Sequence, residues 1–157
     1  MADLIEPTYV FSLLEVVWGG TLVAITMAFH GCGMLTILRV NGALKTQFAS
    51  HRSFFTGLFR IILVSWMIVL VHLLEVFWWA VFFLSKGMFP TASTCYYFAL
   101  NEYTTLGSNF NLPLHWRLLE GMIAITGLLT FAWSTGVLFT LAQNFQDRGL
   151  HLPQSVS

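Results

Sequence analysis

Long stretches without charge alternate with short polar segments along this chain. Residues 16–38 and 121–146 contain no Asp, Glu, Lys or Arg. A third apolar stretch, residues 57–84, carries only Arg60 near its start and Glu75 in its interior. Each stretch exceeds the about 20 residues that a helix needs to cross about 30 Å of hydrocarbon. The pattern therefore predicts three transmembrane helices.

A fourth apolar piece, residues 87–101, lies between the second and third of these stretches. It is too short to cross a bilayer, and its length is typical of a re-entrant helix. Pro90 followed by Thr91 and Ser93 indicates the start of that helix. The predicted fold is an all-α membrane protein with three spans and one half-span.

The composition excludes several classes of function. Hydrophobic residues make up 57% of the chain and charged residues 9%, whereas soluble domains carry about a quarter charged residues. The seven basic and seven acidic residues cancel, so no basic surface is available for nucleic acid. Cys32 and Cys95 have no metal-ligand spacing and are expected to be reduced, inert thiols. No nucleophile–base pair, phosphate-binding loop or metal cluster stands out, and we expect neither an enzyme nor a bound cofactor.

The loop charges predict the orientation of the chain. Residues 39–60 hold four basic residues and no acid, whereas the first seven residues hold only acids. The positive-inside rule places 39–60 in the cytoplasm, with the N-terminus outside and the C-terminus inside. The N-terminus has no basic segment typical of a cleavable signal peptide, so the first span is expected to be retained. Residues 39–60 contain either a short interfacial helix or a continuation of the first helix.

The segment after the half-helix carries the candidate chemistry. Non-helical backbone at membrane depth is tolerated only where it is buried in protein or lines a water-filled path. Residues 103–110 read Tyr-Thr-Thr-Leu-Gly-Ser-Asn-Phe, and their carbonyl and hydroxyl oxygens could replace the water shell of a monovalent cation. Because one copy cannot enclose an ion, several copies must surround an axis.

This arrangement resembles the pore domain of the potassium-channel superfamily, in particular its short bacterial three-span members. Residues 97–107 resemble a pore helix that runs into a Thr-Thr-x-Gly filter, and residues 116–131 resemble the inner helix. The resemblance covers about residues 57–146. It implies a homotetramer in a bacterial plasma membrane, with these segments in each subunit: an extra helix and cytoplasmic loop at 1–56, an outer helix at 57–85, a pore helix at 90–102, a filter at 104–110, an inner helix at 116–146 and a cytoplasmic tail at 147–157.

The resemblance also assigns the ion-coordinating filter residues. These are Thr104, Thr105, Leu106, Gly107, Ser108 and Asn109, with the monovalent cation held mainly by residues 105–107.

The filter departs from the family pattern Thr-x-Gly-Tyr-Gly-Asp. Ser108 replaces the Tyr, Asn109 replaces the second Gly, and Phe110 replaces the acid. Glycine serves where φ is positive, and Asn is among the least costly substitutes there. We therefore expect intact inner cation sites, wider or hydrated outer sites, and passive conduction of K⁺, or also of Na⁺, with relaxed potassium selectivity.

Other polar and small residues complete the predicted site. Asn101, Glu102 and Tyr103 precede the filter and are expected to support it. Gly127 matches the family's hinge glycine, with close helix packing as the alternative, and Phe139 is a candidate gate. His72 and Glu75, three residues apart, share a helix face. We interpret them as a structural pair, with a pH sensor as the alternative.

Three alternatives stay open at the level of sequence. One is a non-selective Na⁺/K⁺ channel, and another is a non-conducting accessory subunit with the channel fold. The third is a haem or quinone binder that uses His30 and His72 as ligands. These two histidines are expected at mismatched depths, His30 near the inner surface and His72 near mid-membrane.

Overall fold

A computed structural model describes residues 12–47 and 54–150. Every regular element in these two ranges is a helix. They are α1 (Leu13–Gln47), α2 (Phe54–Ser85), α3 (Ala92–Tyr103), a single 3₁₀ turn (Leu114–Trp116) and α4 (Leu118–Leu150). The predicted outer tail, the centre of the basic loop with Arg52, and the end of the cytoplasmic tail lie outside the described residues.

Three of the helices are long and apolar enough to cross a membrane. They correspond to Leu13–Gln47, Phe55–Ser85 and Leu114–Phe145, which confirms the three predicted spans. At 12 residues, α3 is about 18 Å long, too short to cross about 30 Å of hydrocarbon.

The helix ends differ from the sequence predictions by a few residues or more. α1 continues through Gln47, well past the predicted end at Leu38, so the alternative in which the first helix runs on is correct for the described part. α2 begins at Phe54 rather than Gly57, and α3 covers 92–103 rather than 90–102. Charge-free length sets only the minimum extent of a span. Arg39 and Lys45 lie within the continuation of α1, since basic residues are favourable near the C-terminus of a helix.

The described residues form two compact units. The first unit lies within Met1–Ala28 and Glu75–Leu128, and the second lies within Phe29–Leu74 and Leu129–Ser157. The core of the first unit contains Trp79, Phe83 and Phe98, none of which is measurably exposed. The core of the second unit is smaller and is formed by Met34, Ile37, Val64 and Ile68.

Candidate functional site

Helix α3 begins at a side-chain cap and is anchored by aromatic packing. The Thr91 hydroxyl accepts a hydrogen bond from the Thr94 backbone N–H at 3.2 Å, as expected from the Pro90–Thr91 start signal. In the middle of α3, the Phe98 ring meets the rings of Phe83 and Phe89, with centroids 5.4 and 4.8 Å apart. The half-length helix is therefore held at its start and along its buried face.

Tyr103, the last residue of α3, is fixed by α2 and by α4. Its hydroxyl donates a hydrogen bond to the buried Glu75 carboxylate. Gly127 lies so close to the Tyr103 backbone that a Cβ at position 127 would overlap the Tyr103 carbonyl oxygen. The starting point of the following loop is thus set by one polar and one steric contact.

Helix α3 ends in a Schellman motif with a threonine at the position that normally takes glycine. The Leu106 N–H donates to the Asn101 carbonyl at 2.9 Å, and the Thr105 N–H donates to the Glu102 carbonyl at 3.0 Å. Thr105 has φ +60° and is the only non-glycine residue with positive φ in the described part of the chain. For a β-branched residue this conformation is a true outlier.

The end of α2 provides an internal reference for that motif. There Met88 N–H donates to the Phe83 carbonyl and Gly87 N–H to the Leu84 carbonyl, each at 3.0 Å. The left-handed position is Gly87, with φ +64°. The same turn is therefore made twice, with the usual residue after α2 and with Thr105 after α3.

The loop after α3 is exposed, and it forms a local turn after Gly107. Gly107 has φ +72°, and the Leu106 side chain between the two left-handed residues is 79% exposed. Farther along, the Ser108 hydroxyl donates to the Phe110 carbonyl at 2.8 Å and accepts from the Phe110 N–H at 3.2 Å. Asn109, which takes the place of the second filter glycine, does not have positive φ.

Three acidic side chains accept hydrogen bonds from backbone amides between the end of α3 and the start of α4. The Glu120 carboxylate accepts a hydrogen bond from the Leu112 N–H at 2.8 Å, and Glu15 accepts one from the Leu118 N–H. Partial burial raises the pKa of the Glu102 carboxyl, and the nearby Glu120 raises it further. The Ser108 backbone N–H acts in the opposite direction by hydrogen bonding to that carboxyl.

Two of the predicted filter and support residues direct their side chains to α3 itself. The Thr104 hydroxyl donates to the Leu100 carbonyl at 2.8 Å, and the Asn101 amide donates to the Tyr97 carbonyl at 2.7 Å. Their contribution to the loop is therefore made through the backbone. Phe139, the candidate gate, belongs to the second unit and is 62% exposed.

The two histidines of the second unit lie side by side. The ring centroids of His30 and His72 are 5.3 Å apart, so the expected mismatch in depth is wrong. The expectation failed because it ended the first span at Leu38, whereas α1 covers Leu13–Gln47 and His30 lies near its middle. Both Nε2 atoms lie within hydrogen-bond distance of the Ser134 hydroxyl, at 3.3 and 3.0 Å. A porphyrin therefore has no room between these rings.

Local sequence patterns do not identify the partners of three residues at these sites. Glu15 pairs with a backbone amide 103 positions away, and Ser134 meets a histidine 104 positions away. Glu120 follows its amide partner by eight residues. A carboxylate in the first turn of a span indicates a backbone amide partner, but sequence spacing alone does not identify which amide.

No protein-family model, no curated protein and no solved structure matches the chain.

Proposed function

We propose that this protein is a potassium-channel-like cation channel in which four copies surround a path for monovalent cations. The loop 104–110 acts as the selectivity filter, and α3 acts as its pore helix. Ions pass down their gradient without catalysis, and the protein lies in a plasma membrane with its C-terminus in the cytoplasm. Relaxed potassium selectivity belongs to the same proposal.

The left-handed backbone at Thr105 is the observation that carries the proposal. Glycine would make the same turn without strain, as Gly87 does after α2. A left-handed conformation costs a non-glycine residue about 1–2 kcal/mol. Strain of this kind is characteristic of functional positions. What Thr105 adds relative to glycine is a hydroxyl oxygen at the inner end of the loop, where a dehydrated cation would need one.

Exposure of the loop favours an assembly of several copies. Helix α3 is half the length of a span, and the backbone that follows it is not helical. Such backbone is tolerated at membrane depth only beside protein or water. Four loops around an axis would provide both, because the backbone oxygens would face a hydrated path.

The turn at Ser108 supports relaxed selectivity. Left-handed backbone occurs at Thr105 and Gly107 but not at Asn109, so the alternation of backbone hand stops after Gly107. Because the Ser108 hydroxyl closes a local turn onto Phe110, we expect the carbonyls beyond Gly107 to be out of line with those before it. Fewer dehydrating sites reduce discrimination between K⁺ and Na⁺.

A substitution series at Thr105 tests the proposal in liposomes that contain the purified full chain. Wild type should pass K⁺ faster than Na⁺, and Thr105→Ser, which keeps the hydroxyl, should retain this preference. Thr105→Gly should melt at a higher temperature, since it removes about 1–2 kcal/mol of strain, but it should lose potassium preference. Thr135→Ala is the matched control, because that hydroxyl donates to its own helix at the Phe131 carbonyl.

Each alternative corresponds to a distinct result. Equal K⁺ and Na⁺ flux in wild type would identify a non-selective channel. Absence of flux from a tetramer that is fully incorporated would identify an accessory subunit. A monomer, or unchanged selectivity in Thr105→Gly, would refute the filter assignment.

A further inference from the structure

The second unit contains a buried cluster of soft and borderline metal donors. His30 is not measurably exposed, and His72, Ser134 and Met34 are 8%, 4% and 1% exposed. The Ser134 hydroxyl lies 3.3 and 3.0 Å from the two histidine Nε2 atoms and 3.9 Å from the Met34 sulfur. Three helices thus direct four donor atoms to one point.

We propose that His30, His72 and Met34 form a binding site for Cu(I). One ring nitrogen of each histidine lies within 4.8 Å of the other. Two metal–imidazole bonds of about 2.0–2.1 Å separate their nitrogens by at most about 4.2 Å. A shift of less than about 1 Å therefore brings both nitrogens onto one ion, with Ser134 beside it.

The donor types select the ion. Imidazole suits copper and zinc, whereas the thioether of methionine is a soft ligand that favours Cu(I). Cu(I) also carries a single charge, and burial of a monovalent ion among apolar helices costs less than burial of a divalent one. Met34 follows His30 by four residues, so both donors lie on the same face of α1.

Aromatic neighbours hold the imidazoles in place. The Trp133 ring lies 5.5 Å from His30, and the Phe131 ring lies 4.6 Å from His72. Fixed ring orientation is what a preorganised metal site requires, since ligands that must reorder lose affinity. The same Trp133 also lines an open groove of about 360 Å³ together with Gly136 and Thr140.

Copper binding to the purified full chain tests this site without reference to ion flux. Cu(I) is supplied under anaerobic, reducing conditions in competition with a chromogenic Cu(I) chelator. We expect one Cu(I) per chain. Affinity should fall at least about 100-fold in His30→Ala and in His72→Ala, and about 10-fold in Met34→Leu. His115→Ala, which removes an exposed histidine, should bind copper as wild type does.

Met34→Leu keeps the assignment testable if a histidine variant fails to fold, because leucine preserves the size of the side chain. X-ray absorption at the copper edge should detect a sulfur neighbour in wild type and none in Met34→Leu. Cu(I) should also raise the melting temperature of wild type, since a ligand that binds only the folded state stabilises it. Copper affinity unchanged in His72→Ala, no copper retained against the chelator, or displacement of Cu(I) by Zn(II) would each overturn the site.

Discussion

Two acidic side chains of the first unit hold backbone amides, whereas two histidines and a serine of the second unit contact one another. In the first unit, Glu15 and Glu120 accept hydrogen bonds from the amides of Leu118 and Leu112. In the second unit, Ser134 joins two histidines. Arg60 donates to the Asn41 side chain there at 3.3 Å.

The difference follows from the backbone of each unit. The first unit contains a non-helical segment between α3 and α4 and the first turn of α4, and the amides of both need acceptors from outside a helix. In the described residues of the second unit, every residue lies in α1, α2 or α4, and helical amides are satisfied within the helix. Glu15 and Glu120 therefore stabilise the backbone between the end of α3 and the start of α4.

Two glycines of α4, one in each unit, should differ most in their response to substitution by alanine. Gly127→Ala should destabilise the protein by more than the about 1–3 kcal/mol typical of overpacking, because the new methyl group overlaps the Tyr103 carbonyl, which is backbone and cannot move aside cheaply. Gly136→Ala, on the same helix but in the second unit, meets no atom within 4 Å. It should stabilise α4 by up to about 1 kcal/mol through helix propensity.

Thermal melting of both variants in the same detergent measures the contrast. The two melting temperatures should move in opposite directions from wild type. If Gly127→Ala and Gly136→Ala had the same melting temperature, Gly127 would not be in tight contact with the Tyr103 carbonyl at the end of α3. The first unit would then lack the feature that fixes its loop.

Tyr103→Phe tests the polar half of the same anchor. Loss of the hydroxyl removes a hydrogen bond to the buried Glu75 carboxylate, at a cost of about 1–3 kcal/mol. Tyr97→Phe is the matched control, since Tyr97 is on the same helix and 54% exposed. The midpoint of thermal unfolding should fall for Tyr103→Phe alone, and an equal fall in both variants would contradict the assigned role of Glu75.

The sequence was sufficient to predict the helices but not the partners of their polar residues. Charge-free length predicted three spans because apolar side chains along about 20 residues have few stable arrangements besides a transmembrane helix. Pro90 and Thr91 located the start of α3 because capping is local chemistry. Helix ends were less accurate: α1 runs past Leu38 through Arg39 and Lys45 to Gln47, because basic residues end an apolar stretch but are favourable near the C-terminus of a helix.

The contacts that define both candidate sites depend on tertiary packing. The sequence placed His72 and Glu75 on one face of a helix, but it did not identify Tyr103, 28 positions away, as a further partner of Glu75. Ser134 is an ordinary hydroxyl in an apolar stretch, and only the packing of three helices brings it to His30 and His72. Thr105 was predicted as a filter residue from resemblance, but its left-handed conformation could not be read from the letters, since β-branched residues avoid that region.

Substitution of Glu102 should change the stability of the protein only slightly, and by an amount that depends on pH. Burial and the nearby Glu120 raise the pKa of Glu102 in the folded protein above its ordinary value of 4.5. The folded state then binds the proton more tightly than the unfolded state. The stability that this carboxyl contributes is fully present below about pH 4.5 and is lost as pH rises through the folded pKa.

Glu102→Gln mimics the protonated carboxyl and can still accept a hydrogen bond from the Ser108 amide. Its melting temperature should therefore equal that of wild type near pH 4 and exceed that of wild type at neutral pH. Melting curves across this range measure the difference. The gain at neutral pH should shrink in a Glu120→Gln background, because one source of the raised pKa is then removed. A gain in melting temperature that is independent of pH, or unchanged by Glu120→Gln, would mean that the two carboxylates do not interact electrostatically. In that case the first unit would resemble the second in having polar groups that act only through their direct hydrogen bonds.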